Sequence, residues 1–205
     1  MKTLSELRND GYKDLEGRWG NAVVLTIVYL LVASGVSYLF GKISENISLL
    51  SSILLFPMAW GYTTAFLDNT RGIAGKPLDI ANLWNGYKDF MRIAVTYLLT
   101  QIYIVLWTLL LIVPGIIKGY SYAMVPYILR DDPTISGNRA IELSMQMMEG
   151  NKMRLFTLHL TFIGWIVLAC LTLGIGFLFV MPYIESTIAN FYEELKGNTP
   201  VSTNP

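Results

Sequence analysis

Of 205 residues, 53% are hydrophobic and 15% charged, against about a quarter charged in an ordinary soluble domain; with a mean hydropathy of +0.46, the composition points to a membrane. Fifteen basic and fifteen acidic residues cancel, which leaves no electrostatic case for nucleic acid or for an acidic substrate. One cysteine, Cys170, and one histidine, His159, exclude an intrachain disulfide framework and Cys-cluster or His-pair metal sites, and no cofactor is expected.

The first twenty residues carry eight charges and precede an apolar run of full spanning length, so this run reads as a retained anchor rather than a cleaved signal. Within residues 1–20, Leu4, Leu7, Leu15 and Trp19 are compatible with an interfacial helix, although Asn9-Asp10-Gly11 weakens it. Crossing about 30 Å of hydrocarbon takes roughly 20 apolar residues. That length predicts spanning helices over 21–41, 48–67 and 93–113. Residues 155–184 form a charge-free run interrupted by Gly174-Ile175-Gly176. It predicts two helices, 153–173 and 176–194, the first capped by Asn151 and the second followed by a flexible tail, 195–205.

The stretch 115–130, after Pro114-Gly115, is short for a span and carries Lys118 near its start. Counting it gives six spans and places thirteen of the fifteen basic residues on one side, Lys42 and Lys118 being the exceptions. Five spans would break the positive-inside rule. The fold class expected is therefore all-α: one polytopic membrane domain over 1–205, with six transmembrane helices in three hairpins and both termini cytoplasmic. Interfacial amphipathic helices complete it. Each hairpin has a Gly and, further on, a Pro: Gly17 and Pro57 are forty residues apart, Gly86 and Pro126 also forty, Gly150 and Pro182 thirty-two. Asp68 and Glu193 both lie eleven residues beyond their prolines. A threefold repeat accounts for this, and so does coincidence, because membrane helices commonly contain Gly and Pro.

Two cytoplasmic segments have one apolar face. Between Pro77 and Arg92, Ile80, Leu83, Trp84 and Tyr87 recur at helical steps behind Asp79, an N-cap by type; Trp84 and Tyr87 suit headgroup depth. From Pro133 to Glu149 a helix is expected to start after Asp132 and end at Gly150, with Ala140, Ile141, Met145 and Met148 as its stripe and Leu143 and Met147 beside it. Ile141, Met145 and Met148 could dock a membrane or cytoplasmic protein partner, since Met-rich faces adapt to partners. The competing reading packs the same face under its own bundle.

An ionisable side chain in the bilayer costs about 2.5–3.5 kcal/mol on insertion scales and needs a partner, water or a proton. Glu185, just after Pro182-Tyr183 and near the centre of helix 176–194, is the main candidate, with Gln101 or a carbonyl freed by Pro182 as its hydrogen-bond partner. It handles protons or ions, or it is a neutral packing residue. Lys118 is close enough to the outer turn to snorkel to the headgroups, and His159 lies five residues inside Arg154. Cys170 reads as a small core residue, and Gly115, Gly119 and Ala123 as a ridge for close helix approach. Asp131-Asp132 before Pro133 serves best as a cap. The chain lacks G-x-S-x-G, H-E-x-x-H, Walker A and G-x-G-x-x-G motifs.

Val113-Pro114-Gly115-Ile116, Ser144 to Gly150 with Lys152 and Phe156, Phe162-Ile163-Gly164-Trp165, Leu171 to Gly176, and Pro182-Tyr183 through Ala189, Phe191 and Tyr192 resemble a bacterial membrane-protein family, domain of unknown function 975. Leu15 to Trp19 resembles that family's start. More distantly, the pattern looks like the six-helix membrane domain beside some glycerophosphodiester phosphodiesterases, which is not their catalytic part. The resemblance implies a bacterial cytoplasmic membrane, with the lipid bilayer as first partner. It carries no catalytic residue across, and Glu185 is not tied to its pattern. The residues favour a non-catalytic scaffold or regulatory protein; the alternative is a small transporter or channel built around Glu185.

Overall fold

The structure, a computed structural model, describes residues 1–43, 48–73 and 78–198. Lys76, Pro77 and the tail from residue 199 onward lie outside them. Among the described residues the chain is helix and turn: α1 Leu4–Lys13, α2 Trp19–Ile43, α3 Ser48–Thr70, a 3-10 helix Ile80–Asp89, α4 Phe90–Leu110, α5 Ile112–Ser121, α6 Val125–Asp131, α7 Gly137–Met147, α8 Lys152–Leu160, α9 Ile163–Leu171 and α10 Phe177–Asn198. Four stretches, Trp19–Lys42, Leu50–Thr70, Ile80–Leu110 and Lys152–Leu171, are long and apolar enough to cross a membrane. Only 11% of the first is buried within the protein, against 56% of the second. Apolar helices that leave so much surface uncovered need hydrocarbon around them, which marks a membrane protein.

Helix α1 forms despite Asn9-Asp10-Gly11. A capping box holds its start, with Thr3 accepting from the Glu6 amide and Glu6 from the Thr3 amide. Gly11 lies so close to α10 that a Cβ there would sit 2.8 Å from the Thr187 backbone nitrogen, so the glycine that weakens the helix locally is what lets it dock. Leu7 and Leu15 are fully buried.

The amphipathic segment behind Asp79 is a 3-10 helix, unusually long for that type. Asn82, Leu83 and Gly86 are its buried positions, Leu83 and Gly86 being three apart, the period at which 3-10 side chains eclipse, whereas Ile80 and Trp84 are exposed. The helix lies directly on α3. A Cβ on Gly86 would overlap the Pro57 carbonyl, and one on Gly61 would come within 2.7 Å of the Leu83 carbonyl oxygen. Tyr87 donates to the Leu54 carbonyl at 2.9 Å, in the turn that Pro57 disturbs.

The stretch 115–130 is not one helix. The chain turns at extended Leu111, so α5 begins before Pro114, which occupies the first turn where a missing N–H costs nothing. A second turn at residues 122–124 separates α5 from α6. The backbone groups freed there are satisfied by α7: Ser144 donates to the Ser121 carbonyl at 2.8 Å and accepts from the Met124 amide at 3.2 Å. Ser144→Ala leaves both groups unpaired in the core, and a loss of about 1–3 kcal/mol is expected, read as a lower melting temperature of the detergent-solubilised protein.

Residues 153–173 are likewise split, α8 from α9, at Thr161-Phe162. Helix α7 starts at Ser136, which caps the Arg139 amide, rather than after Asp132; Asp132 instead holds the Thr134 amide and hydroxyl. Gly150 takes the expected positive φ of 75°. Asn151 precedes α8 but sends its amide back to the Met147 carbonyl rather than capping. In the final turn Leu173 and Gly174 share the left-handed region, at φ 55° and 89°. Helix α10 then runs past 194, with Leu195 buried, so the tail begins later than expected.

One packing relation recurs three times. The 3-10 helix packs on α3, α7 on α6, and α1 on α10; each amphipathic segment covers a proline-containing helix. Those helices, α3, α6 and α10, meet one another through α3–α10 and α3–α6 contacts and a Tyr127–Tyr192 stack with centroids 5.0 Å apart. They form the centre, and α2, α4 and α8–α9 the rim.

Candidate functional site

Two polar constellations lie along this centre. The first is Glu185. Thr63 on α3 lies beside it, and Tyr29, Tyr62, Tyr97 and Tyr127, from α2, α3, α4 and α6, all lie within range of its charge. The aromatic wall is tightly packed, with Tyr29 stacked on Tyr62 at 4.6 Å and Tyr97 against Phe56 at 5.5 Å. Thr26 donates its one hydroxyl proton to the Ala22 carbonyl, so in the 2.9 Å contact with Tyr62 the tyrosine is the donor. That commits the Tyr62 proton to Thr26. Among the described residues, no Lys, Arg or His forms an ion pair with Glu185.

The other residues singled out by sequence are placed elsewhere. Gln101 is exposed on α4 and the structure does not bring it to Glu185; helix α4 lies at the rim and turns Tyr97, not Gln101, inward. The Nζ of Lys118 lies 5.0 Å from the Trp107 ring centre and 3.8 Å from Met145 Sδ, a placement that cation–π attraction stabilises. His159 contacts the Leu155 carbonyl through Nδ1 at 3.0 Å and packs on Tyr120. With Ile116, Gly119, Tyr120 and Ala123 it lines a shallow groove of about 250 Å³. Gly119 has open space around it, whereas Gly115 packs on Thr108 and Ala123 against the core, so the ridge makes contact at its two ends and not at its middle. Cys170 is exposed, because an apolar helix at the rim turns its small residues to the lipid as readily as to the core.

The Met-rich docking face is also corrected. Ile141 is 3% exposed and Met148 fully buried, with Met147 beside them in the core, while Met145 is half-buried against Lys118. The face packs under its own bundle because it covers α6 and the α5–α6 break.

The second constellation was not legible as a unit. Asp131 ends α6 as a hub rather than a cap. Arg71 engages it through both terminal guanidinium nitrogens at 2.6 and 3.0 Å, and Tyr192 and Lys196 each donate to Oδ2 at 2.7 Å. The same Arg71 holds Glu193 at 2.6 Å, and Arg130 pairs with Asp68 at 3.0 Å. These bonds tie α3, α6 and α10 together at one end. Burial opposes charge on Asp131, yet the hydrogen bonds from Arg71, Lys196 and Tyr192 prevail and hold its carboxyl below the usual range; burial works against Arg71 too, and its bonds to Asp131 and Glu193 outweigh it and raise the guanidinium. Nearby, Asp14 accepts from Thr70 at 2.8 Å and from Asn190 at 2.7 Å. The one sequence signal for this cluster was the shared spacing of Asp68 and Glu193 from their prolines.

Comparison with known proteins finds no match among curated proteins or solved structures, so the likeness to the membrane domain beside glycerophosphodiester phosphodiesterases gains no support. The stretch Leu15 to Trp19 lies outside the family match that is found. Over residues 109–199, from the end of α4 through α10 and including Asp131, Glu185 and Glu193, the chain matches the family described as protein of unknown function (DUF975).

Proposed function

We propose that the protein is a small non-catalytic transporter or channel of a bacterial cytoplasmic membrane, with Glu185 as its exchange site for a proton or small cation. In this reading six segments form three hairpin units, and both termini lie on the cytoplasmic side with most basic residues. A single observation carries it: the lone acidic side chain of the apolar part of α10 sits at the centre of the bundle, among tyrosines from four helices, with no cationic partner among the described residues. A carboxylate in hydrocarbon without such a partner is stabilised by taking up a proton or a cation. The scaffold reading loses the surface named for it, since Ile141 and Met148 are buried.

Reconstituted vesicles under an imposed potential, with a trapped pH dye and with sodium or potassium outside, test the proposal. The wild-type protein is expected to carry protons or one of these cations, and Glu185→Gln to fall to the rate of empty vesicles while still inserting as a monodisperse protein. Equal flux in wild type and variant, or none in the wild type, removes the reading.

A further inference from the structure

We infer that Glu185 is reached by water from one end only, along a buried polar seam between α3 and α10 that opens at the ion-pair cluster; Ser186 and Asp68 are its lining residues. The inference deepens the reading of Glu185 as an exchange site and rests on it for its significance, but it makes a separate claim about access.

The register of the two helices sets the seam. They run in the same direction, with Thr63 beside Glu185, Thr70 and Asn190 sharing Asp14, and Arg71 holding Glu193. Between the Glu185 level and the cluster, α3 carries the buried polar residues Thr64 and Asp68, and α10 carries Ser186 and Asn190. Asn190 bridges Asp14 and the Ser186 carbonyl, at 2.7 and 3.0 Å, so polar contacts lead from the cluster to the residue next to Glu185. On the other side of Glu185, towards the Leu173 turn, α10 offers only Phe177, Leu178, Phe179, Val180, Met181 and Pro182 before Tyr183 and Ile184. From Phe177 to Pro182 the helix has no side chain that can hydrogen-bond water.

Two orphaned atoms fall between these levels. Ser186 is fully buried and its hydroxyl has no partner among the described residues. Asp68 is 6% exposed; Oδ2 meets Arg130, but Oδ1 has no partner among them either. Buried polar groups are nearly always hydrogen-bonded, and where the protein offers nothing, ordered water does so. An unpaired carboxylate oxygen is among the costliest groups to leave dry. Thr63 and Glu185, which face each other, also keep accessible surface, as do Tyr183 and Ile184 just before Glu185, whereas Thr64, Ser186 and Thr187 on the cluster side are buried. Unpaired oxygens at two levels below the Thr63–Glu185 pair describe a narrow hydrated crevice.

Cysteine accessibility in oriented membrane vesicles tests this with Glu185 intact. In a Cys170→Ser background, Lys13→Cys marks the cluster face and Ile175→Cys the opposite one; the probe is the membrane-impermeant cation 2-(trimethylammonium)ethyl methanethiosulfonate. Ser186→Cys, close to isosteric, is expected to react from the Lys13 face and not from the Ile175 face. Thr63→Cys gives a second reading should Ser186→Cys fail to insert. Labelling from the Ile175 face, from both faces, or from neither while the marker cysteines react, overturns the inference. Labelling from the Lys13 face without any wild-type ion flux would keep the hydrated crevice and sink only the transport reading.

Discussion

Gly86→Val is expected to all but abolish folded protein in the membrane, with fluorescence-detected size-exclusion chromatography showing loss of the monodisperse peak. The 3-10 helix meets α3 backbone to backbone: a Cβ at position 86 would overlap the Pro57 carbonyl oxygen and sit 2.8 Å from its carbon. A backbone carbonyl cannot rotate away as a side-chain tip can. Relief requires the 3-10 helix to lift, which also removes Leu83 from the core and the Tyr87 bond to Leu54. Overpacking costs about 1–3 kcal/mol and sometimes more, a large share of the roughly 5–15 kcal/mol by which domains are stable. Gly119→Val is the control, because nothing lies within 4 Å of a Cβ there. Should Gly86→Val purify as well as Gly119→Val, the direct backbone seating is wrong.

Arg71→Ala is expected to loosen the ion-pair cluster that joins α3, α6 and α10. Removing one partner of a buried ion pair costs about 3–5 kcal/mol, because the other charge stays behind uncompensated. Here the Arg71 and Asp131 side chains keep 23% and 16% exposure, and Lys196 and Tyr192 still hold Asp131, so about 2 kcal/mol is the better expectation. Arg71→Ala combined with Asp131→Asn should cost less than the sum of the single changes, since the pair is lost only once. Additive costs would show that the two residues act independently.

The pH dependence has a definite sign. The folded protein holds the Asp131 carboxyl below its ordinary value, so the unfolded chain takes up a proton first as pH falls. The contribution of this group is present in full above the ordinary carboxylate range and is lost as pH drops through the lowered folded value. Melting temperature should therefore hold from neutral to mildly acidic pH as far as Asp131 is concerned and fall in stronger acid, with a smaller fall in Asp131→Asn.

Much of this architecture follows from local rules that the sequence displays. The apolar runs marked the helices because hydrocarbon demands length and freedom from charge, and α2 and α3 begin and end within a few residues of the expected bounds. Gly150 and the Gly174 turn were legible because few other residues adopt positive φ. Thr3-Leu4-Ser5-Glu6 could have been read as a capping box, and the Gly–Pro and Pro–acid spacings pointed to the recurrent packing without saying what it was for. Glu185 stood out because carboxylates are rare in apolar helices.

Tertiary contact decided the rest. Whether 115–130 is one helix or two depends on Ser144, twenty residues away, satisfying the backbone at the break. Whether the Met-rich face meets a partner or its own bundle depends on what lies across from it, which periodicity does not encode. The neighbours of Glu185 come from Tyr29 to Tyr127 along the chain, and Asp131 gathers Arg71, Tyr192 and Lys196 from sequence separations of sixty or more. Which segments are helical and apolar was settled locally, because those properties are set within a turn or two of each residue. Which polar side chains share the interior was determined only by packing, because burial and charge act through space and bring together residues that no local pattern links.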